Sequence, residues 1–112
     1  MPQTIVFSFL TGLMGTNALP HLVKGLAGEE FPNLWGNSPL RNALAGVSGI
    51  ALTVLFVFLA DMPGHPWAAA VATLAGAYLM AAFHGLHGAF WLNTVTGNPN
   101  PATPANRGPH GA

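Results

Sequence analysis

Three apolar stretches, each interrupted only by scattered glycines and small polar residues, alternate with two short segments rich in proline, glycine and charge. A hydrocarbon core of ~30 Å is crossed by about 20 residues at ~1.5 Å rise, so stretches of this length predict membrane-spanning helices. The first is expected over about residues 4–27, with Gly25 or Gly28 ending it. Pro20, inside that stretch, cannot donate a backbone hydrogen bond and crowds the carbonyl of Thr16, which predicts a kink or a stop. Ser38 followed by Pro39 reads as an N-cap with proline at the first helical position, so the second helix is expected over 39–60. Asp61 to His65 is a tight Pro-Gly turn, and the third helix is expected over 66–91. The fold class is therefore all-α, a three-helix transmembrane domain over 1–92. The polar, proline-rich segment 93–112 is expected to be a disordered tail in which His110 is incidental.

Small residues recur along two of these helices. Ala45, Gly49 and Thr53 are spaced by four on the second, and Ala77, Ala81, Gly85 and Gly88 by three or four on the third. Such stripes let helix backbones approach closely in lipid, where no hydrophobic force drives helices together. Leu55, Phe56 and Phe58 are expected to face lipid instead. Trp35, Trp67 and Trp91 suit the membrane-water boundary, and Lys24 and Arg41 lie where long basic side chains reach the headgroups.

Composition narrows the classes. Hydrophobic residues make up 51% of the chain and charged residues only 5%, too few charges to build a soluble surface. Three basic and three acidic residues cancel, which leaves no basic face for nucleic acid. Without cysteine there is no disulfide, thiolate metal site, thiol nucleophile or lipidated thiol. Ile5 to Met14 has the length of a signal-peptide core but no basic residue before it, so it is read as retained within the first helix. Lys24 and Arg41 flank the first connection and Arg107 lies in the tail. The positive-inside rule then puts that connection and the C-terminus in the cytoplasm, and the N-terminus outside, in a multi-pass protein of the inner membrane.

The candidate chemistry is carried by histidine. Asn17 and His21 share a helix face beside Pro20, and His84 and His87 lie near the end of the third stretch, with His87 about 60° from His84 around the axis. With Arg41 and Asn42 opening the second helix, all approach one boundary and can meet. An ionisable group within a span is by default a functional-site hypothesis. His21, His84 and His87 supply nitrogen ligands for a divalent metal, one histidine from each of two helices suits a haem with Gly85 and Gly88 giving it room, and the imidazoles suit a proton relay with Asn17. Against these stands a structural reading that needs no cofactor: the histidines hydrogen-bond between helices, with His84 stapling the third helix to the carbonyl that Pro20 frees. No phosphate loop, dinucleotide fingerprint, zinc-protease motif or nucleophile elbow occurs, and Glu29 and Glu30 have no second acid or nucleophile, so no catalytic residue is assigned and an enzyme is not expected.

The run from Asn17 to Gly28, N-A-L-P-H-x-V-K-G-x-x-G, followed by F-P-N-x-x-G-x-S-P over Phe31 to Pro39 and by H-G-x-H-G in the third stretch, resembles a group of small uncharacterised bacterial integral membrane proteins. The resemblance implies a membrane location and no activity. Two classes follow: a non-catalytic accessory or assembly subunit, as a homo-oligomer or within a larger membrane complex, and a haem, metal or proton-handling protein. The lipid bilayer is the partner common to both.

Overall fold

The computed structural model describes residues 1–102. It is all-helical, in the order α1 (Pro2–Leu26), α2 (Pro39–Ala60), a single 3-10 turn at Met62–Gly64, α3 (Pro66–Gly85) and α4 (Gly88–Val95). α1, α2 and α3 are each long and apolar enough to cross a membrane. At ~1.5 Å per residue even α3, with 20 residues, spans about 30 Å.

α1 is the central element. α2 packs antiparallel to it and α3 parallel to it, while α2 and α3 scarcely touch. Close approach explains the arrangement. A Cβ on Gly46 would run into the backbone of Leu22, one on Gly25 into the backbone of Ala43, and one on Gly49 into Ala18. On the other side, a Cβ on Gly12 would meet the Thr73 carbonyl, and one on Gly76 the Phe9 carbonyl. These contacts place backbone against backbone, the geometry by which helices associate in lipid. The surface left outside is apolar: Val71, Tyr78 and Phe58 are 68%, 74% and 81% exposed, as lipid-facing side chains would be.

Several boundaries and faces differ from expectation. Pro20 does not stop α1, which continues for six residues beyond it to Leu26. The contact face of α2 is Asn42, Gly46, Gly49 and Thr53, so Gly49 lies where expected but Ala45 is one position out of phase and only half-buried. Phe56 does not face outward; it stacks on Phe7 of α1 at 6.0 Å. On α3 the buried small residues are Ala69, Ala72 and Gly76, with Ala77 beside Gly12, whereas Ala81 is exposed and Gly85 has open space around its Cα. The third apolar stretch is also not one helix. It breaks after Gly85, where His87 takes a left-handed conformation (φ 60°) that L-residues adopt at a cost, and α4 starts afresh at Gly88. Gly88 is packed under Phe83, which a Cβ there would strike.

Nor does order end at residue 92. Asn93 to Val95 belong to α4, Asn93 is buried, and Pro101 is buried against the molecule. The polar composition that suggested disorder serves local hydrogen bonds instead: Asn100 Nδ2 donates to the Phe90 carbonyl and Thr96 Oγ1 to the Leu92 carbonyl. The expected disorder of 103–112, with Arg107 and His110, lies outside the described residues.

Candidate functional site

The polar residues of the three helices gather at the end of the molecule where α1 stops and α2 begins. Two histidine-asparagine pairs hold it together. His21 of α1, buried, meets Asn42 of α2, with 2.7 Å between Nδ1 and Oδ1. The amide of Asn42 is fixed further, since the two hydrogens of its Nδ2 are shared among the carbonyls of Phe31, Asn37 and Ser38 at 2.9, 3.0 and 3.1 Å. With Nδ2 committed to acceptors, Oδ1 must be the group facing His21. It carries no hydrogen, so His21 Nδ1 donates, and in the neutral tautomer that this bond selects Nε2 is the acceptor. One turn earlier on α1, Asn17 Oδ1 accepts from His84 Nε2 of α3 at 2.8 Å. The other ring nitrogen of His84, Nδ1, is buried without a hydrogen-bond partner.

Phe31, from the connection between α1 and α2, covers both imidazoles. Its ring centroid lies 5.2 Å from that of His21 and 5.9 Å from that of His84, and the two imidazoles are edge to face at 5.9 Å. The connection is anchored by asparagines. Asn37 Oδ1 accepts from Asn93 Nδ2 at 3.0 Å and Asn37 Nδ2 donates to the Pro99 carbonyl at 2.6 Å, which ties the first connection to the segment after α4. Beyond the end of α1, Glu29 pairs with Lys24 of its last turn at 2.6 Å, and that hydrogen bond together with the ammonium charge holds the Glu29 carboxyl below its ordinary pKa.

Sequence reasoning brought Asn17, His21, His84 and Asn42 to this place, and the structure joins them. His87 is not joined. It is exposed beyond the end of α3 with Phe90 as its ring neighbour, and among the described residues no three histidines or carboxylates cluster closely enough to hold a metal ion. The room for a haem expected at Gly85 and Gly88 is also not beside the pair, since Gly85 lies outside the helix contact and Phe83 occupies the space at Gly88. His84 reaches the Asn17 side chain, not the carbonyl freed by Pro20. Phe31, Asn37 and Asn93 were missed. The only sequence signal was the density of asparagine at 33, 37, 42, 93, 98 and 100, a residue type that bonds to backbone carbonyls.

Neither the protein-family models, nor the curated proteins, nor the solved structures contain a match to this chain. Its chemistry must therefore be read from its own residues.

Because α2 and α3 scarcely touch, a cleft of about 670 Å³ is left beside the pairs. Asn17, His21 and His84 line it from within, Arg41, Leu44, Ser48 and Leu52 along α2, and Phe83 and Leu92 on the other side. Arg41 at one end is exposed; its Nη1 donates to the Trp35 carbonyl at 3.2 Å, and no carboxylate among the described residues pairs with it. Gly36, at φ 117°, gives the loop a turn that only glycine adopts readily and leaves the space across which the Arg41 side chain lies.

Proposed function

We propose that the chain is a non-catalytic accessory or assembly subunit of a bacterial inner-membrane complex, with the first connection in the cytoplasm and the N-terminus outside. One observation carries this reading: two histidines and two asparagines inside the spans pair across helix interfaces, His21 with Asn42 and His84 with Asn17, and so serve to set helix register. Support comes from the small residues of α3 that the fold leaves outside, since Ala81 and Gly85 offer a close-approach surface to another helix. Single cysteines test it cleanly because the chain has none of its own. Ala81→Cys and Gly85→Cys are expected to cross-link in native membranes into one defined larger species, whereas Ile50→Cys on the outer face of α2 is not. Absence of any cross-link, with a detergent particle of single-chain mass, contradicts the reading.

A second reading, a haem, metal or proton-handling role for His21, His84 and His87, is favoured by the unpartnered Nδ1 of His84. An absorption spectrum with elemental analysis separates the two. The accessory reading expects a colourless, metal-free protein. A Soret band, or about one metal per chain that disappears in a His84→Gln, His87→Gln double variant, establishes the second reading instead.

A further inference from the structure

The cleft has a polarity gradient that matches one kind of molecule. Its lining runs along α2 from Arg41 to Leu52, about 16 Å at 1.5 Å per residue, which is the scale of a lipid head group plus the upper part of its chain. At the Arg41 end stand the exposed guanidinium, Trp35, Asn33 and His21; toward the other lie Leu44, Leu52 and Met14. Because α2 is a candidate span, that axis is also the axis along which a bilayer lipid lies, with its polar end at the same boundary. Two features specify the head group. Arg41 has a fork of donors and no carboxylate partner among the described residues, which suits a phosphate diester. His21 Nδ1 is locked as a donor by Asn42, so in the neutral imidazole Nε2 is an acceptor, and among the described residues that nitrogen has no hydrogen-bond partner and is not sealed from the surface. An acceptor at this place calls for a donor on the ligand, a hydroxyl.

We propose that the cleft between α2 and the α3–α4 arm binds an anionic phospholipid with a hydroxyl-bearing head group, its phosphate on Arg41, its hydroxyl donating to His21 Nε2 and an acyl chain along Leu44 and Leu52. The assignment rests on the membrane placement and is independent of the accessory role.

Trp35, at the polar end of the cleft, is the reporter. In a Trp67→Phe, Trp91→Phe background, which removes two exposed indoles, full-length protein is reconstituted with lipids of identical brominated chains. The head groups are phosphatidylglycerol, the equally charged but hydroxyl-free phosphatidylethanol, and zwitterionic phosphatidylcholine. Trp35 quenching is expected to report association with phosphatidylglycerol about tenfold stronger than with phosphatidylcholine, whose phosphate charge is offset by its own choline cation and which has no hydroxyl for His21. It should also be about fivefold stronger than with phosphatidylethanol, for the hydroxyl. Arg41→Gln should lower the first preference to the part that the hydroxyl supplies, and Ser48→Phe, which fills the cleft from an exposed position, should abolish both. Equal quenching by all three lipids, or a preference that survives both variants, overturns the proposal; equality of phosphatidylglycerol and phosphatidylethanol overturns the hydroxyl contact to His21. Alkaline carbonate extraction of the same vesicles separates the levels. A chain that is stripped off overturns the membrane reading and this site with it, and a chain that stays without head-group preference overturns the site alone.

Discussion

The α1/α2 and α1/α3 interfaces use the same parts to different effect. Each joins glycines to a facing backbone and each carries one histidine-asparagine pair. At α1/α2 the buried part of the pair is satisfied: Asn42 has no exposed surface and its amide faces His21 and three carbonyls, while the free nitrogen of His21 opens to the cleft beneath Phe31. At α1/α3 the pair is half-buried and incomplete, with one imidazole nitrogen left over. A fully satisfied buried network fixes a unique arrangement, whereas a partly satisfied one retains capacity for something else. The α1/α2 hairpin is therefore expected to be the half that is harder to open, and the α3 arm the easier.

Removing Asn42 should have the largest effect. Asn42→Leu strands the Phe31 carbonyl and the Nδ1–H of His21, while the Asn37 and Ser38 carbonyls keep their backbone donors, and a loss of about 3 kcal/mol is expected in reversible unfolding from mixed micelles. Next comes Gly12→Val, which forces a side chain into the Thr73 carbonyl at the α1/α3 crossing. A loss of about 2 kcal/mol is expected, together with weakened cross-linking between cysteines placed on α1 and α3. His84→Gln keeps a donor for Asn17 and should cost only about 0.6 kcal/mol, the usual worth of a hydrogen bond between spanning helices; a loss as large as that of Asn42→Leu would erase the contrast between the interfaces. Smallest, and opposite in sign, His87→Gly relieves the left-handed backbone at the α3/α4 break and should raise the unfolding midpoint by an amount worth about 0.5 kcal/mol.

The spans were legible because their signal is long and redundant, about twenty apolar residues each, and the start of α2 was legible because Ser38 and Pro39 are both chemically suited to it; Ser38 Oγ does accept from the Arg41 amide, at 3.2 Å. The meeting of His21, Asn17, His84 and Asn42 was legible from depth alone, since all lie within a few turns of one boundary. Which small residues touch was not. Ala45 and Gly46 differ by one position, and the choice between them is made by Asn42, whose side chain must reach His21 and so turns α2 to present Gly46. The break at His87 was hidden because a histidine in the left-handed region leaves no mark in hydropathy, while the flanking Gly85 and Gly88 read equally well as a packing stripe. Residues 93–102 were misread because composition reports solvation, and these asparagines are satisfied by carbonyls of the protein itself.

The central claim is that polar pairs across helices, not apolar burial, set the register of this molecule. A double-mutant cycle on His21→Ala and Asn42→Ala, with stability measured for both single variants and the double variant, tests it most directly. A coupling of about 1–2 kcal/mol is expected, with the double variant little worse than Asn42→Ala alone. Strictly additive losses would contradict the claim and leave His21 and Asn42 as neighbours that happen to meet.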